Sequence, residues 1–467
     1  MSRFLLNQRL VEEQLPAGTV MLDVIRRRRG LTGTKDVCRE GDCGACQVLL
    51  GKRQAGGLRY QAVNACLLPL GAVDGGHVVT VEGLNGERLN PIQQALVDNG
   101  AIQCGFCTPG LVMALTGFFL NSPASDEHAA VDAVAGNLCR CTGYAGIRRA
   151  INQLCRRFDL SGSPLARRIE DLVHWQILPP YFLTADETLA ALPLHQAAPS
   201  PDAVRVAGGT DLFVQKLAWL QAQPLDFLPA SGDGIRREGR DGIVDATTTI
   251  EQLRTSPLFR QWFPSAAQDF ELICSAPVRA RATVGGNLVN ASPIADLAVF
   301  FLALDARLVI ASATRLRTVA LKDFFQGYKK TDLQPGERVR EIRFDTAAAQ
   351  HFSYEKVSKR THLDIAGVNS ALSIEQADGR IVKARLAAGG IGPVPAYLAA
   401  TGACLQGKTI EPATVLEAVE IAQGEITPIS DIRGSAEYKR LLLRQLIFAH
   451  FLKLFPDTIR WEQLHAR

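Results

Sequence analysis

The first part of the chain is built from short apolar runs broken by glycine-rich turns. Runs such as Val48-Leu49-Leu50 and His77-Val78-Val79-Thr80-Val81, spread over residues 3–85, predict a small mixed sheet. Between them, Met21-Leu22-Asp23-Val24-Ile25 has the spacing of a short helix with one apolar face, and Thr19 is its expected cap. Arg26 to Arg29 then form a solvated last turn, where the helix dipole favours positive charge. Over residues 91–157 the pattern becomes helical, as in Ile92-Gln93-Gln94-Ala95-Leu96-Val97, and Pro109 falls in a first helical turn where its missing N–H is harmless. Residues 158–168, with Gly162, Ser163 and Pro164, read as a connector. Beyond about residue 170, strand-like runs, helices and glycine turns mix, with an alternating segment at 367–374 and helices expected at 412–423 and 435–455. This half predicts two α+β units.

Composition narrows the class. Of 467 residues, 47% are hydrophobic and 21% charged, with a formal charge of +4, which suits a folded globular chain and gives no reason to expect nucleic acid. The apolar run at 297–306 is interrupted by Asp305 and too short to cross a bilayer. The first residues lack the apolar core and cleavage site of a secretory signal, so a cytoplasmic location without a membrane span is expected.

Eight of the eleven cysteines lie between Cys38 and Cys141. A disulfide framework does not suit a reducing compartment or a chain this large, so metal ligation is the leading expectation. Cys38, Cys43 and Cys46 are spaced C-x4-C-x2-C, and Cys66 follows after nineteen residues, the plant-type spacing for a two-iron, two-sulfur cluster. Gly41, Gly44 and Ala45 let that loop curl close to inorganic sulfur, leaving amides free to point at it. Tetrahedral zinc is the alternative. Cys104 and Cys107, with Cys139 and Cys141, form a second four-thiolate set next to expected helix starts; a CxxC alone could equally be a redox dithiol. Cys155 lies outside both sets and is expected to pack in a helix.

The segments Cys38-Arg39-Glu40-Gly41-Asp42-Cys43-Gly44-Ala45-Cys46, Gln103-Cys104-Gly105-Phe106-Cys107-Thr108-Pro109-Gly110 and Asn137-Leu138-Cys139-Arg140-Cys141-Thr142-Gly143-Tyr144 resemble the two iron-sulfur domains of the molybdenum hydroxylases. The resemblance implies a multidomain α+β chain. It divides into a β-grasp 2Fe-2S ferredoxin domain at 1–85, a four-helix 2Fe-2S domain at 86–160, a linker at 161–180, a vanillyl-alcohol-oxidase-type FAD-binding domain at 181–346, and a C-terminal α+β flavoprotein domain at 347–467.

Ala207-Gly208-Gly209-Thr210-Asp211 and Thr283-Val284-Gly285-Gly286-Asn287 do not fit the G-x-G-x-x-G dinucleotide fingerprint, and locally each reads either as a tight turn or as a backbone approach to phosphate. By resemblance, Val206, Ala207, Gly208, Gly209, Thr210 and Asp211, with Thr283, Val284, Gly285, Gly286 and Asn287, cradle FAD. Asp296 binds its ribityl or a nearby polar group, and Lys356 lies beside the isoalloxazine ring. Where the family often carries Arg-Asn before the second loop, this chain has Arg279-Ala280.

The resemblance also implies a partner: a separate large subunit with molybdenum cofactor, which hydroxylates hypoxanthine and xanthine with water as oxygen source. Electrons then pass singly through the Cys104/Cys107/Cys139/Cys141 cluster and the Cys38/Cys43/Cys46/Cys66 cluster to FAD, and from FAD to NAD+. No catalytic residue is expected in this chain, and the expected assembly has two small and two large subunits. The alternatives are the equivalent subunit of a hydroxylase acting on an aldehyde, an N-heterocycle or an aromatic acyl-CoA, and a stand-alone iron-sulfur flavoprotein electron carrier.

Overall fold

In the computed structural model, which describes residues 1–54, 57–192, 200, 202–229 and 234–464, the glycine-broken apolar runs become a five-stranded mixed sheet. Its order is Arg9–Glu13, Ser2–Leu6, His77–Val79, Gln47–Gln54, Gly57–Asn64. Ser2–Leu6 and His77–Val79 run parallel; the other neighbours are antiparallel. Successive side chains of a strand face opposite ways, and Gln47–Gln54 uses both faces. Val48 and Leu50 pack with Met21, Leu22, Val24 and Ile25, whereas Leu49 joins Leu111, Leu115 and Phe118 on the other side.

Four helices follow: Pro91–Asp98, Thr108–Asn121, Glu127–Val134 and Ala145–Arg157. Every residue from Gly110 to Leu120 is buried, as expected of a helix that is apolar all round. Ala145–Arg157 instead buries Ile147, Ala150, Ile151 and Leu154 on one face, while Arg148, Arg149, Arg156 and Arg157 face water. Cys155 packs at the edge of this core, and burial pushes its thiol up to about 11.

Two local expectations are corrected. Thr19 does not cap the short helix: Met21–Asp23 follows Val20 with no side-chain cap, and the Thr19 carbonyl accepts from Leu70 N instead. The arginine run is only partly solvated. The helix widens into a π-helical turn, Val24–Arg28, from which Arg26 donates to the carbonyls of Thr32 and Thr34, and Arg29 beyond it pairs with Glu13. The stretch 161–180 contains the helix Arg168–His174, and Leu172, Ile177 and Leu178 belong to the helical core. Arg168, 1% exposed, donates to the carbonyls of Phe119, Ser122 and Ser163, so this stretch is stitched to the helix Thr108–Asn121.

The chain divides into two compact units, Met1–Leu228 with Ser275–Arg281, and Pro229–Cys274 with Ala282–Arg467. The second contains an antiparallel sheet ordered Leu316–Ala320, Arg307–Ala311, Arg338–Asp345, Asp241–Asp245, Ile235–Glu238. Helix Asp296–Leu302 is buried in its core beside Phe259, Phe263, Phe270 and Phe344. A second sheet, ordered His351–Val357, Val368–Ala377, Arg380–Gly389, Ala396–Tyr397, packs with helices Pro412–Gly424 and Ala436–Leu454. Ser435 caps the last of these by accepting from Tyr438 N.

Candidate cofactor sites

The loop from Cys38 to Cys46 turns through Gly41 and Gly44, at φ +79° and +69°, a conformation glycine adopts without strain. Its amides point at sulfur: those of Glu40, Asp42 and Cys43 reach the Cys38 thiol, and that of Gly41 reaches Cys66. The four thiols meet as two pairs, Cys38 with Cys43 and Cys46 with Cys66. The contact with Cys43 draws Cys38 down to about 5 and pushes Cys43 up; Cys66 likewise draws Cys46 down and is itself pushed up.

The second set repeats the arrangement. Cys104 and Cys141, both exposed, stand 3.4 Å apart between sulfurs, and the buried Cys107 and Cys139 form the other pair. The Phe106 amide, then Cys141, draws Cys104 down, and Cys104 pushes Cys141 up. Burial and then Cys139 push Cys107 up to about 12. Against the desolvation of its own burial, Cys139 is drawn down by Thr142, whose hydroxyl lies 3.2 Å away.

Among the described residues, no group of three or more His, Cys, Asp or Glu side chains is arranged to hold a metal ion. Two pairs of thiols are nevertheless what a four-thiolate, two-iron cluster requires, with two sulfur ligands for each iron. Both sets fit such a cluster on that count, and the amides aimed at sulfur suit its negative charge.

The two sets are joined directly. Leu138 N donates to the Cys43 carbonyl at 3.0 Å, Asn137 Nδ2 to the Gly44 carbonyl at 3.1 Å, and Gln47 Nε2 to Asn137 Oδ1 at 3.2 Å. Side chains would prevent this approach. A Cβ on Gly44 would stand 2.3 Å from the Gly136 carbonyl oxygen, and one on Gly110 would stand 2.2 Å from that of Gly44.

The two glycine loops lie in different units. In the first, strand Val204–Val206 leads into Gly208 and Gly209, the latter at φ +73°, and a short helix begins at Leu212. Arg281 Nη2 donates to the Gly208 carbonyl at 2.9 Å, while Asp211 accepts from Gln215. In the second unit, Thr283 caps the helix Val284–Val289 through Gly286 N, at 3.1 Å. Gly285 is pressed against Ala246, where a Cβ would come within 2.6 Å of the alanine methyl; a Cβ on Gly286 would meet only the Thr283 hydroxyl. Asn287 Oδ1 is buried without a hydrogen-bond partner. An open glycine face beside an orphaned acceptor fits a bound polar ligand such as a dinucleotide.

Asp296 and Lys356 come together. Lys356 Nζ donates to Asp296 Oδ2 at 3.1 Å and to the Leu272 carbonyl at 2.7 Å. The other carboxylate oxygen accepts from Tyr354 Oη and from Asn369 Nδ2, each at 2.6 Å. Sequence reasoning assigned no role to Tyr354 or Asn369. The available signal was an asparagine inside the apolar strand Val368–Ala377, whose buried amide needs a partner.

Three family models match the chain: "[2Fe-2S] binding domain" over residues 80–152, "FAD binding domain in molybdopterin dehydrogenase" over 181–345, and "CO dehydrogenase flavoprotein C-terminal domain" over 353–454. Among curated relatives, xanthine dehydrogenase of Emericella nidulans is 29% identical, aligning with 100% of this chain and 39% of its own length. Xanthine dehydrogenase/oxidase of Felis catus is 30% identical over 79% of this chain and 32% of its own. The chain thus spans well under half the length of these relatives. Among solved structures, carbon monoxide dehydrogenase from Hydrogenophaga pseudoflava matches with TM-score 0.51 and 28% identity, covering 56% of this chain and 92% of that one. Quinoline 2-oxidoreductase from Pseudomonas putida 86 matches with TM-score 0.50 and 27% identity over the same shares. No described helix is long and apolar enough to cross a membrane. The iron-sulfur domain, the FAD-binding domain and the flavoprotein C-terminal domain, in that order, place this chain in the molybdenum hydroxylase family.

Proposed function

We propose that this chain is the electron-transfer subunit of a bacterial-type xanthine dehydrogenase, working with a separate large subunit that holds molybdenum cofactor and hydroxylates purines. The observation that carries this reading is the pair of four-thiol sets joined through the Leu138–Cys43 hydrogen bond, together with the order of the family matches. The proposed division is a β-grasp ferredoxin domain at 1–85, a helical 2Fe-2S domain at 86–160, a connecting stretch at 161–180, an FAD domain of the vanillyl-alcohol-oxidase type at 181–346 and a C-terminal domain at 347–467.

Cys38, Cys43, Cys46 and Cys66 hold one 2Fe-2S cluster, and Cys104, Cys107, Cys139 and Cys141 hold the other. The 206–211 and 283–287 loops, Asp296 and Lys356 serve FAD. When bound, the clusters supply one-electron relay and FAD supplies two-electron exchange with NAD+. The chain's own part is to hold these groups. Loop amides stabilise the sulfur charge, the glycines admit the dinucleotide, and the Asp296–Lys356 pair keeps two charged side chains in fixed orientation. The proposed assembly contains two copies of each subunit and works in the cytoplasm. The related reading, a hydroxylase of an aldehyde, an N-heterocycle or an aromatic acyl-CoA, draws support from the carbon monoxide dehydrogenase and quinoline 2-oxidoreductase matches, whose identities approach those of the xanthine dehydrogenases.

The test is steady-state turnover of the natively co-purified complex with xanthine, comparing NAD+ reduction with oxygen consumption. Xanthine-dependent NADH formation is expected. No xanthine turnover by a complex fully loaded with molybdenum, iron and FAD moves the assignment to the related reading.

A further inference from the structure

Arg281 carries a positive charge that no described carboxylate balances. Its only hydrogen bond among the described residues is from Nη2 to the Gly208 carbonyl, at 2.9 Å. Its Nε is covered by protein and has no partner, and no described carboxylate lies within ion-pair distance. The charged side chain that bears on it is another cation: Lys52, whose ammonium is pushed down to about 8 by burial, with Arg281 adding to the shift against the pull of Asp74. Burial likewise lowers Arg281 itself, to about 10. A half-buried guanidinium whose Nε is covered and unpartnered, beside a second cation, gains from an anion that completes the site.

The place of this charge is informative. Arg281 grips the first glycine loop by Gly208 and stands two residues before Thr283, where the second begins. Neither loop contains a basic residue, and the first contains Asp211. Loops meant to receive a diphosphate therefore supply amides and a hydroxyl but no counter-charge of their own. The nearby Arg279, in the same Val-Arg-Ala-Arg-Ala run, is committed elsewhere through its 2.6 Å ion pair with Asp132.

We propose that Arg281 is the counter-charge for the diphosphate of the bound dinucleotide, holding it at the 206–211 loop. This rests on the reading of that loop as part of the FAD site. It makes Arg281 a binding residue whose charge is balanced only in the flavin-loaded protein, and it leaves the guanidinium as a source of strain in the flavin-free form.

The test compares wild-type protein with Arg281→Met and Arg281→Lys, each stripped of flavin and titrated with FAD and with riboflavin, following flavin fluorescence. Arg281→Met is expected to weaken FAD binding roughly 10- to 100-fold, the loss of a charge-assisted contact. Riboflavin, which lacks phosphate, should bind all three proteins alike, and Arg281→Lys should recover part of the FAD affinity. Wild-type FAD affinity should also fall more steeply with salt than that of Arg281→Met. Thermal melting separates this from a structural role. Flavin-free Arg281→Met should melt no lower than flavin-free wild type, while the rise in Tm on adding FAD shrinks. Equal FAD affinity in wild type and Arg281→Met overturns the proposal, as does a markedly lower Tm of the flavin-free variant. A wild-type protein that binds no FAD overturns the flavin reading itself.

Discussion

His450 is fully enclosed, with Nδ1 3.0 Å from Ser353 Oγ and Nε2 3.1 Å from Ser370 Oγ. Burial, reinforced by Lys453, holds its pKa down at about 3. The unfolded chain takes up this proton near pH 6.5 and the folded one does not, so the neutral imidazole supports the fold fully above pH 6.5 and that support drains away as the pH falls toward 3. By pH 5 the loss from this residue is about 2 kcal/mol. His77 acts in the same direction in the other unit: burial lowers it to about 4, against the pull of the Asn7 carbonyl, and it is bonded to Tyr60 Oη at 2.6 Å. Denaturant melts at pH 7 and pH 5 are expected to show this loss, with a shallower pH dependence in His450→Gln. An unchanged slope in that variant would assign the acid sensitivity to other groups. Neither histidine was singled out from sequence, because an isolated histidine in an apolar segment carries no sign of its enclosure.

At the scale of elements, the helix Thr108–Asn121 has its first turn against the Cys38–Cys46 loop, with Gly110 at the contact. Alanine in place of a helical glycine ordinarily stabilises by roughly 1 kcal/mol. Here the added carbon would stand 2.2 Å from the Gly44 carbonyl oxygen and 2.9 Å from Asn137 Nδ2, and a backbone carbonyl in a loop of cysteines has little room to yield. Gly110→Ala is therefore expected to cost about 1–3 kcal/mol in chemical denaturation. A midpoint equal to or above wild type would show that the loop relaxes freely. The helix itself was legible from its apolar run and Pro109. The reason for a glycine at 110 was not, since the carbonyl it admits belongs to another element.

On the scale of the whole molecule, the Ser275–Arg281 segment returns to the first unit although the chain on both sides of it lies in the second. It is held there by a buried ion pair between residues far apart in sequence: Arg279 is 0% exposed and Asp132 4%, with 2.6 Å between Nη2 and Oδ2. Breaking one side of such a pair leaves an uncompensated buried charge. Arg279→Met is expected to destabilise by about 3–5 kcal/mol, and the double variant Arg279→Met with Asp132→Leu to recover much of that loss. Equal denaturation midpoints for the two variants would mean that the pair contributes only through packing.

The cysteine spacing, the glycine loops and the long helices at 412–424 and 436–454 were set by local sequence, because ligand spacing, tight turns and helical periodicity act over a few residues. A local signal could also mislead: Thr19 has the chemistry of a cap, but the chain places Val20 at the helix start. Tertiary structure alone decided which thiols pair, that Leu138 meets Cys43, and that Tyr354 and Asn369 enclose Asp296. The two arginines of Val278-Arg279-Ala280-Arg281-Ala282 state the difference most sharply. They are alike in sequence, yet one is neutralised by Asp132, 147 positions away, and the other is turned to the Gly208 carbonyl with no described carboxylate beside it, because a side chain's electrostatic partner is fixed by distance in space and not by neighbours along the chain.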